Sequence, residues 1–88
     1  MIPLEWLNDV IQERDGLRRL LDEAGSLTLA AHRLAMAKCL TFEHSTAVPT
    51  GREVRAAATQ IAKRVPGTFV PETSSLIADC EALGLAVM

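Results

Sequence analysis

Apolar positions recur at helical spacing in four segments, and the second of these is the one around which the others are expected to pack. Eleven of the eighteen residues from Ser26 to Glu43 are apolar, and no glycine or proline interrupts them. Their apolar positions fall on several sides of a helix, so no clean polar face is left. A helix of this kind is typically buried. The segment therefore predicts a central buried helix, with Ser26 capping its first turn and Leu34 in the core.

The third segment has the clearest helical signal. Thr50 and Glu53 have the spacing of a capping box, in which a side-chain oxygen satisfies an exposed backbone N–H at the helix start. An apolar stripe follows with the i, i+3, i+4, i+7 spacing of one buried helix face. Its members are Val54, Ala57, Ala58, Ile61, Ala62 and Val65.

The first segment, Pro3 to Ala24, contains two apolar stripes that point in different directions. Leu4, Leu7, Val10 and Ile11 form one stripe, and Leu17, Leu20, Leu21 and Ala24 form the other. Because the phase changes at Asp15-Gly16, the sequence predicts a kink or break near Gly16. Gly25 is the expected stop of this helix.

The last segment predicts a helix from Pro71 or Thr73 to Leu83, ended by Gly84. One face of this helix would carry Leu76, Ile77, Cys80 and Leu83. In the link before it, Phe69 and Val70 are expected to fill a gap between helices. The apolar residues 85–88 are expected to pack back on the bundle or to contact another chain.

Together these segments predict an all-α fold. A chain of 88 residues with 49% apolar and 23% charged residues fits one globular domain spanning residues 1–88. Only three aromatic residues are present, so leucine and alanine must form most of the core. The expected architecture is a small single-domain bundle of four helices around the central one, or five helices if Gly16 breaks the first.

Compartment signals are few. The N-terminus has acidic residues where a secretory signal needs basic ones, and no apolar run is long enough to span a membrane. Two cysteines, Cys39 and Cys80, are too few for a disulfide scaffold, so we expect them to be reduced and unpaired. These features favour a cytoplasmic protein without membrane partners.

Charge is distributed unevenly although the net charge is only −2. Residues 1–24 and 71–88 each sum to −3, whereas residues 51–70 sum to +3. Arg52, Arg55 and Lys63 fall within about 80° of one another around the third helix, with Thr59 between them. This face is either ordinary solvated surface or a contact site for an acidic partner. Because no aromatic residues are interleaved for base stacking, a protein partner is favoured over nucleic acid.

Catalytic and metal-binding patterns are weak. His32, Cys39, His44 and Cys80 have suitable donor atoms, but none forms the short-spaced pair typical of structural zinc sites. A nucleophilic cysteine or serine would need a nearby base and oxyanion donors, and no motif supplies them. The sequence therefore favours a protein that is not an enzyme and needs no metal or cofactor.

A DNA-binding motif is the next alternative. The stretch GSLTLAAHRLAMAK, from Gly25 to Lys38, resembles the first half of a helix-turn-helix of the LysR type or the Fis type. The resemblance implies a turn at Ala35 and a recognition helix over residues 37–43. In this chain the turn position usually given to glycine is alanine, and residues 37–43 offer few donors for base edges.

The function favoured by the sequence is a small non-catalytic interaction module: an adaptor, regulator or inhibitor of a protein or nucleoprotein partner with an acidic surface. Its candidate binding residues are Arg52, Arg55, Thr59 and Lys63. Phages and other mobile elements often encode proteins of this size without catalytic motifs, which is an argument by analogy. The alternatives are a DNA-binding regulator with a degenerate helix-turn-helix at residues 25–43, and a small enzyme or metal protein. A homodimer through the apolar C-terminus is a further alternative.

Overall fold

A computed structural model describes residues 4–41 and 47–88, which form four α-helices and no strand. In chain order these are α1 (Leu4–Ala24), α2 (Leu27–Thr41), α3 (Gly51–Arg64) and α4 (Thr73–Ala82). The all-α prediction is confirmed. The predicted end of the central helix at Glu43 lies outside the described residues.

The centre of the bundle is a pair of helices. Both α2 and α3 contact every other helix, whereas the described residues of α1 and α4 do not contact each other. The buried positions of the pair are mostly small, which lets two helix backbones approach closely. They include Ala30, Ala31 and Ala35 of α2 and Val54, Ala57, Ala58 and Ile61 of α3.

Helix α2 is less enclosed than its composition predicts. Arg33, Ala37 and Lys38 are exposed, so one side of the helix faces solvent. Leu34 is half-buried at the edge of the core rather than inside it. Alanines lie on several sides of α2, which is why the sequence indicated an apolar surface all round. Alanine is tolerated on an exposed surface as well as in a core. The larger buried side chains of the central pair come from α3.

Helix α1 runs through Gly16 without interruption, so the predicted break, and with it the fifth helix, is wrong. Leu17 is buried, but Ile11 is 38% exposed. The two apolar stripes of α1 therefore need not face the same core. A continuous helix accommodates both of them. Arg18 instead pairs with Asp22 at 3.4 Å on the exposed surface.

Replacing Gly16 with alanine is expected to stabilise the protein by about 0.5–1 kcal/mol, because glycine in a helix interior costs that much relative to alanine. An alanine Cβ there would meet no atom within 4 Å beyond the adjacent turns of its own helix. The measurement is the urea midpoint at constant m-value. As a control, Gly84→Ala should lower the midpoint, because Gly84 has a φ of +76°. An unchanged or lower midpoint for Gly16→Ala would contradict a continuous α1.

The C-terminal residues pack back on the bundle, as one of the two sequence alternatives predicted. The N–H of Gly84 donates to Glu81 and that of Leu85 to Cys80, at 3.0 and 2.8 Å, which is the Schellman pattern of a glycine-ended helix. Leu85 and Val87 then pack against the core. Met88 N donates to the Pro49 carbonyl at 3.0 Å, and its own carbonyl accepts from Gly51 N at 2.8 Å.

Candidate protein-interaction surface

The start of α3 and its buried face together define which side chains of this helix are exposed. Thr50 Oγ1 accepts from Glu53 N at 3.2 Å, which confirms the predicted cap. Val54, Ile61 and Val65 are each no more than 1% exposed, so the opposite side must face solvent. Residues on that opposite side are Arg52, Ala56 and Lys63, all exposed and within about 40° of one another around the axis.

Two of the four predicted binding residues are tied to the backbone. Arg55 is half-buried, and its guanidinium donates to the carbonyl of Pro71 in the link before α4. Thr59 Oγ1 donates to the carbonyl of Arg55 at 2.9 Å, one turn back in the same helix. Arg55 is therefore engaged by the fold, which its position on the helix alone does not show. Arg55 lies at the edge of the apolar stripe, close enough to the next segment to hold it.

The side chains of Arg52 and Lys63 are free to contact a partner. In the part of the chain that the structure describes, neither side chain has a hydrogen-bond or ion-pair partner. Most other basic residues do have one: Arg14, Arg18 and Arg64 pair with carboxylates, Lys38 donates to Gln60, and Arg55 donates to Pro71. Lys63 is eleven positions after Arg52 in the helix, so the two residues lie about 16 Å apart along the axis. We call Arg52, Ala56 and Lys63 the basic face.

Polar side chains on one flank of the basic face connect α3 to α1. Arg64 pairs with Glu13 at 3.5 Å, and Gln60 Nε2 donates to the same carboxylate group at 3.1 Å. Lys38 of α2 donates to Gln60 from the other side. These exposed contacts contribute little stability individually, but they engage the polar side chains that flank the basic face.

The thiols do not have the environment of a nucleophile. The Cys39 thiol donates to Glu53 Oε2 at 3.1 Å. This hydrogen bond raises the pKa of Cys39, and loss of hydration and the negative charge of Glu53 act in the same direction. Burial raises the pKa of Cys80, with a smaller effect from the charge of Asp79. Reactive cysteines have a lowered pKa, so both environments favour the less reactive thiol form.

The metal-ligand candidates are not gathered in one place. Cys39 and Cys80 are free thiols on different helices, and His32 Nε2 lies 3.3 Å from the carbonyl oxygen of Ala86. His44 lies outside the described residues. Among the side chains that the structure describes, no three from His, Cys, Asp or Glu are placed to hold a metal ion.

The helix-turn-helix resemblance does not extend to the structure. Such a motif needs the chain to turn near Ala35 so that a second helix can enter the major groove. Here α2 continues through Ala35 to Thr41. Residues 37–41 therefore prolong the first helix of the resembled motif and do not begin a second one.

A surface groove that the sequence did not indicate lies between α2, α4 and the link before α4. It consists of two cavities of about 390 and 260 Å³ that share Ser26, Thr28 and Asp79. Phe69 lines the larger cavity and Leu83 the smaller one. Phe69 is 79% exposed, so the expectation that it fills a gap between helices is wrong, whereas Val70 does pack against the core. An aromatic side chain in a short link was the only signal of this groove in the sequence.

No protein-family model, curated protein or solved structure gives a significant match to the chain. Among the described residues, no helix combines the length and apolar character needed to cross a membrane.

Proposed function

We propose that this protein is a non-catalytic interaction module that binds an acidic surface of a protein partner through the basic face. The observation that supports the proposal is the contrast within α3. Arg55 and Arg64 are engaged by the fold, whereas Arg52 and Lys63 are exposed and have no partner among the described residues.

The geometry of the basic face suits a flat contact. Ala56 lies between the two cations and is exposed, so a partner backbone can approach the helix closely at this point. Arg52 can bind a carboxylate through two parallel N–H donors, and Lys63 acts as a compact charge. A matching partner would place acidic side chains about 16 Å apart, the axial separation of eleven helical residues.

Arg55 and Thr59 contribute indirectly to this proposal. Arg55 holds Pro71 and so fixes the link that borders α3, and the hydroxyl of Thr59 is used within the helix.

The proposed function is that of an adaptor, regulator or inhibitor in the cytoplasm, where free thiols such as Cys39 and Cys80 persist. An origin in a phage or another mobile element is part of the proposal only by analogy of size and motif content.

The test is a charge reversal that spares Arg55. Immobilised wild-type protein, Arg52→Glu/Lys63→Glu and the control Arg19→Glu/Arg33→Glu are compared for capture of proteins from a lysate of the native host. Arg19 and Arg33 are also exposed and without a partner among the described residues, and reversing them changes net charge by the same amount. We expect a partner retained by wild type and control to bind the first variant on the order of tenfold more weakly, mainly through slower association.

Folding is checked in parallel, because exposed charge substitutions should change stability by no more than about 0.5 kcal/mol. Equal capture by both double variants would show that the basic face is ordinary solvated surface. Nucleic-acid binding is measured on the same proteins with a labelled random-sequence DNA duplex. Binding that falls log-linearly and steeply with salt, and is lost in Arg52→Glu/Lys63→Glu, would favour a DNA-binding regulator instead.

A further inference from the structure

Two of the most exposed large apolar side chains of the bundle border the same groove. Phe69 is 79% exposed and lines the larger cavity, and Leu83 is 52% exposed and lines the smaller one. Single exposed apolar residues are common, but two that line adjoining cavities, one of them aromatic, are a feature of binding sites. Aromatic anchors of this kind contribute a large share of the energy of many interfaces.

The walls of the groove are held in place by polar contacts. The Thr28 hydroxyl donates to Asp79 Oδ2 at 3.3 Å and connects α2 to α4. Ser26 Oγ accepts from Leu29 N at 3.2 Å, which confirms the predicted cap at the first turn of α2. On the third side, Arg55 holds the carbonyl of Pro71. A groove whose walls are fixed before binding loses less conformational freedom when it is occupied.

The charged side chain that lines the groove, Asp79, is opposite in sign to the basic face, and the Arg55 guanidinium behind the wall is engaged by the Pro71 carbonyl. Asp79 is exposed and belongs to both cavities, and among the described side chains that line them it is the only charged one. Glu72 and Glu81, at the two ends of α4, are also exposed. A ligand that fills the apolar part of the groove would therefore gain from a positive charge near Asp79.

We propose that the groove binds a peptide segment of a second protein in which a large apolar side chain is followed closely by lysine or arginine. The apolar side chain would pack against Phe69 in the larger cavity. The basic side chain would pair with Asp79, whose other carboxylate oxygen accepts from Thr28. This inference does not depend on the basic face, because the two surfaces require partners of opposite charge.

The test uses a displayed library of random peptides selected against the wild-type protein. We expect the selected peptides to share an apolar residue near a lysine or arginine. Synthetic versions should bind Phe69→Ala on the order of tenfold more weakly, as expected for loss of an aromatic anchor. Binding to Asp79→Asn should also weaken, and its preference for the basic residue should disappear. Met88→Ala serves as the control, because Met88 is 76% exposed and lies outside the groove.

The inference is overturned if the selected peptides lack a basic residue, or if they bind Phe69→Ala as tightly as wild type. Self-association that is abolished by Phe69→Ala would also overturn it, because the occupant would then be a second copy of this chain. Arg52→Glu/Lys63→Glu should bind the peptides normally. The proposal for the groove and the proposal for the basic face can therefore be contradicted independently of each other.

Discussion

Replacement of Ile61 by alanine is expected to destabilise the bundle by roughly 2 to 5 kcal/mol, the range for removing a fully buried isoleucine side chain beyond Cβ. Ile61 is 0% exposed and is among the largest fully buried side chains of the described structure. A domain of 88 residues has a total stability on the order of 4 to 13 kcal/mol. The substitution should therefore remove a large part of the stability, and the variant should unfold at a much lower urea concentration.

The matched control is Ile11→Ala, the same chemical change at a residue that is 38% exposed. Its expected cost is below about 1 kcal/mol, because partly exposed positions leave no closed cavity. Leu34→Ala, at the half-buried edge of the core, should fall between the two. Equal effects at Ile61 and Ile11 would contradict a core built on α3.

Replacement of Ala58 by leucine is expected to have the second largest effect, a destabilisation of about 1–3 kcal/mol from overpacking. Ala58 is 0% exposed and belongs to the same buried cluster as Ala30 and Ala31 of α2, which are also 0% exposed. Three additional carbon atoms at this point must push the central helices apart or force unfavourable rotamers. The thermal midpoint and the urea midpoint should both fall.

Ala56→Leu is the control on the same helix, because Ala56 is exposed and has room for a larger side chain. It should change stability by no more than about 0.5 kcal/mol. If Ala58→Leu is as stable as wild type, the helices are not in close contact at their alanines, and the bundle has a different packing from the one described.

Features set by neighbouring residues could be predicted from the sequence. Thr50 and Glu53 lie within one helical turn, and the apolar stripe of α3 needs no information beyond its own spacing. The stop at Gly84 has the same local origin, because only glycine readily adopts the positive φ needed there. The four-helix architecture followed from these local signals.

Features that depend on distant residues could not be predicted. A change of stripe in α1 indicates either a break or two stripes that do not face one core, and only the packing of α1 on α2 and α3 decides between them. The same holds for Phe69, because an aromatic residue in a link has no periodicity that shows its direction. Alanine in α2 was ambiguous as well, since it is tolerated both in a core and on a surface.

The candidate site was predicted in part. Helical spacing was enough to place Arg52 and Lys63 on the exposed side of α3. It could not show that Arg55 reaches the Pro71 carbonyl, sixteen residues away in the chain, or that Thr59 bonds within its own helix. The groove beside Phe69 was missed because its lining comes from three separate segments.

The central claim is that an acidic partner docks on the basic face, and site-specific photocrosslinking in the native host tests it most directly. A photoreactive phenylalanine derivative is introduced at Ala56, between Arg52 and Lys63, and in a second protein at Glu23, an exposed position on α1. We expect a discrete covalent adduct from Ala56 that is absent from Glu23, and the crosslinked partner peptide should be rich in aspartate and glutamate. The same adducts from both positions, or none from Ala56 while the protein is folded and expressed, would contradict the claim.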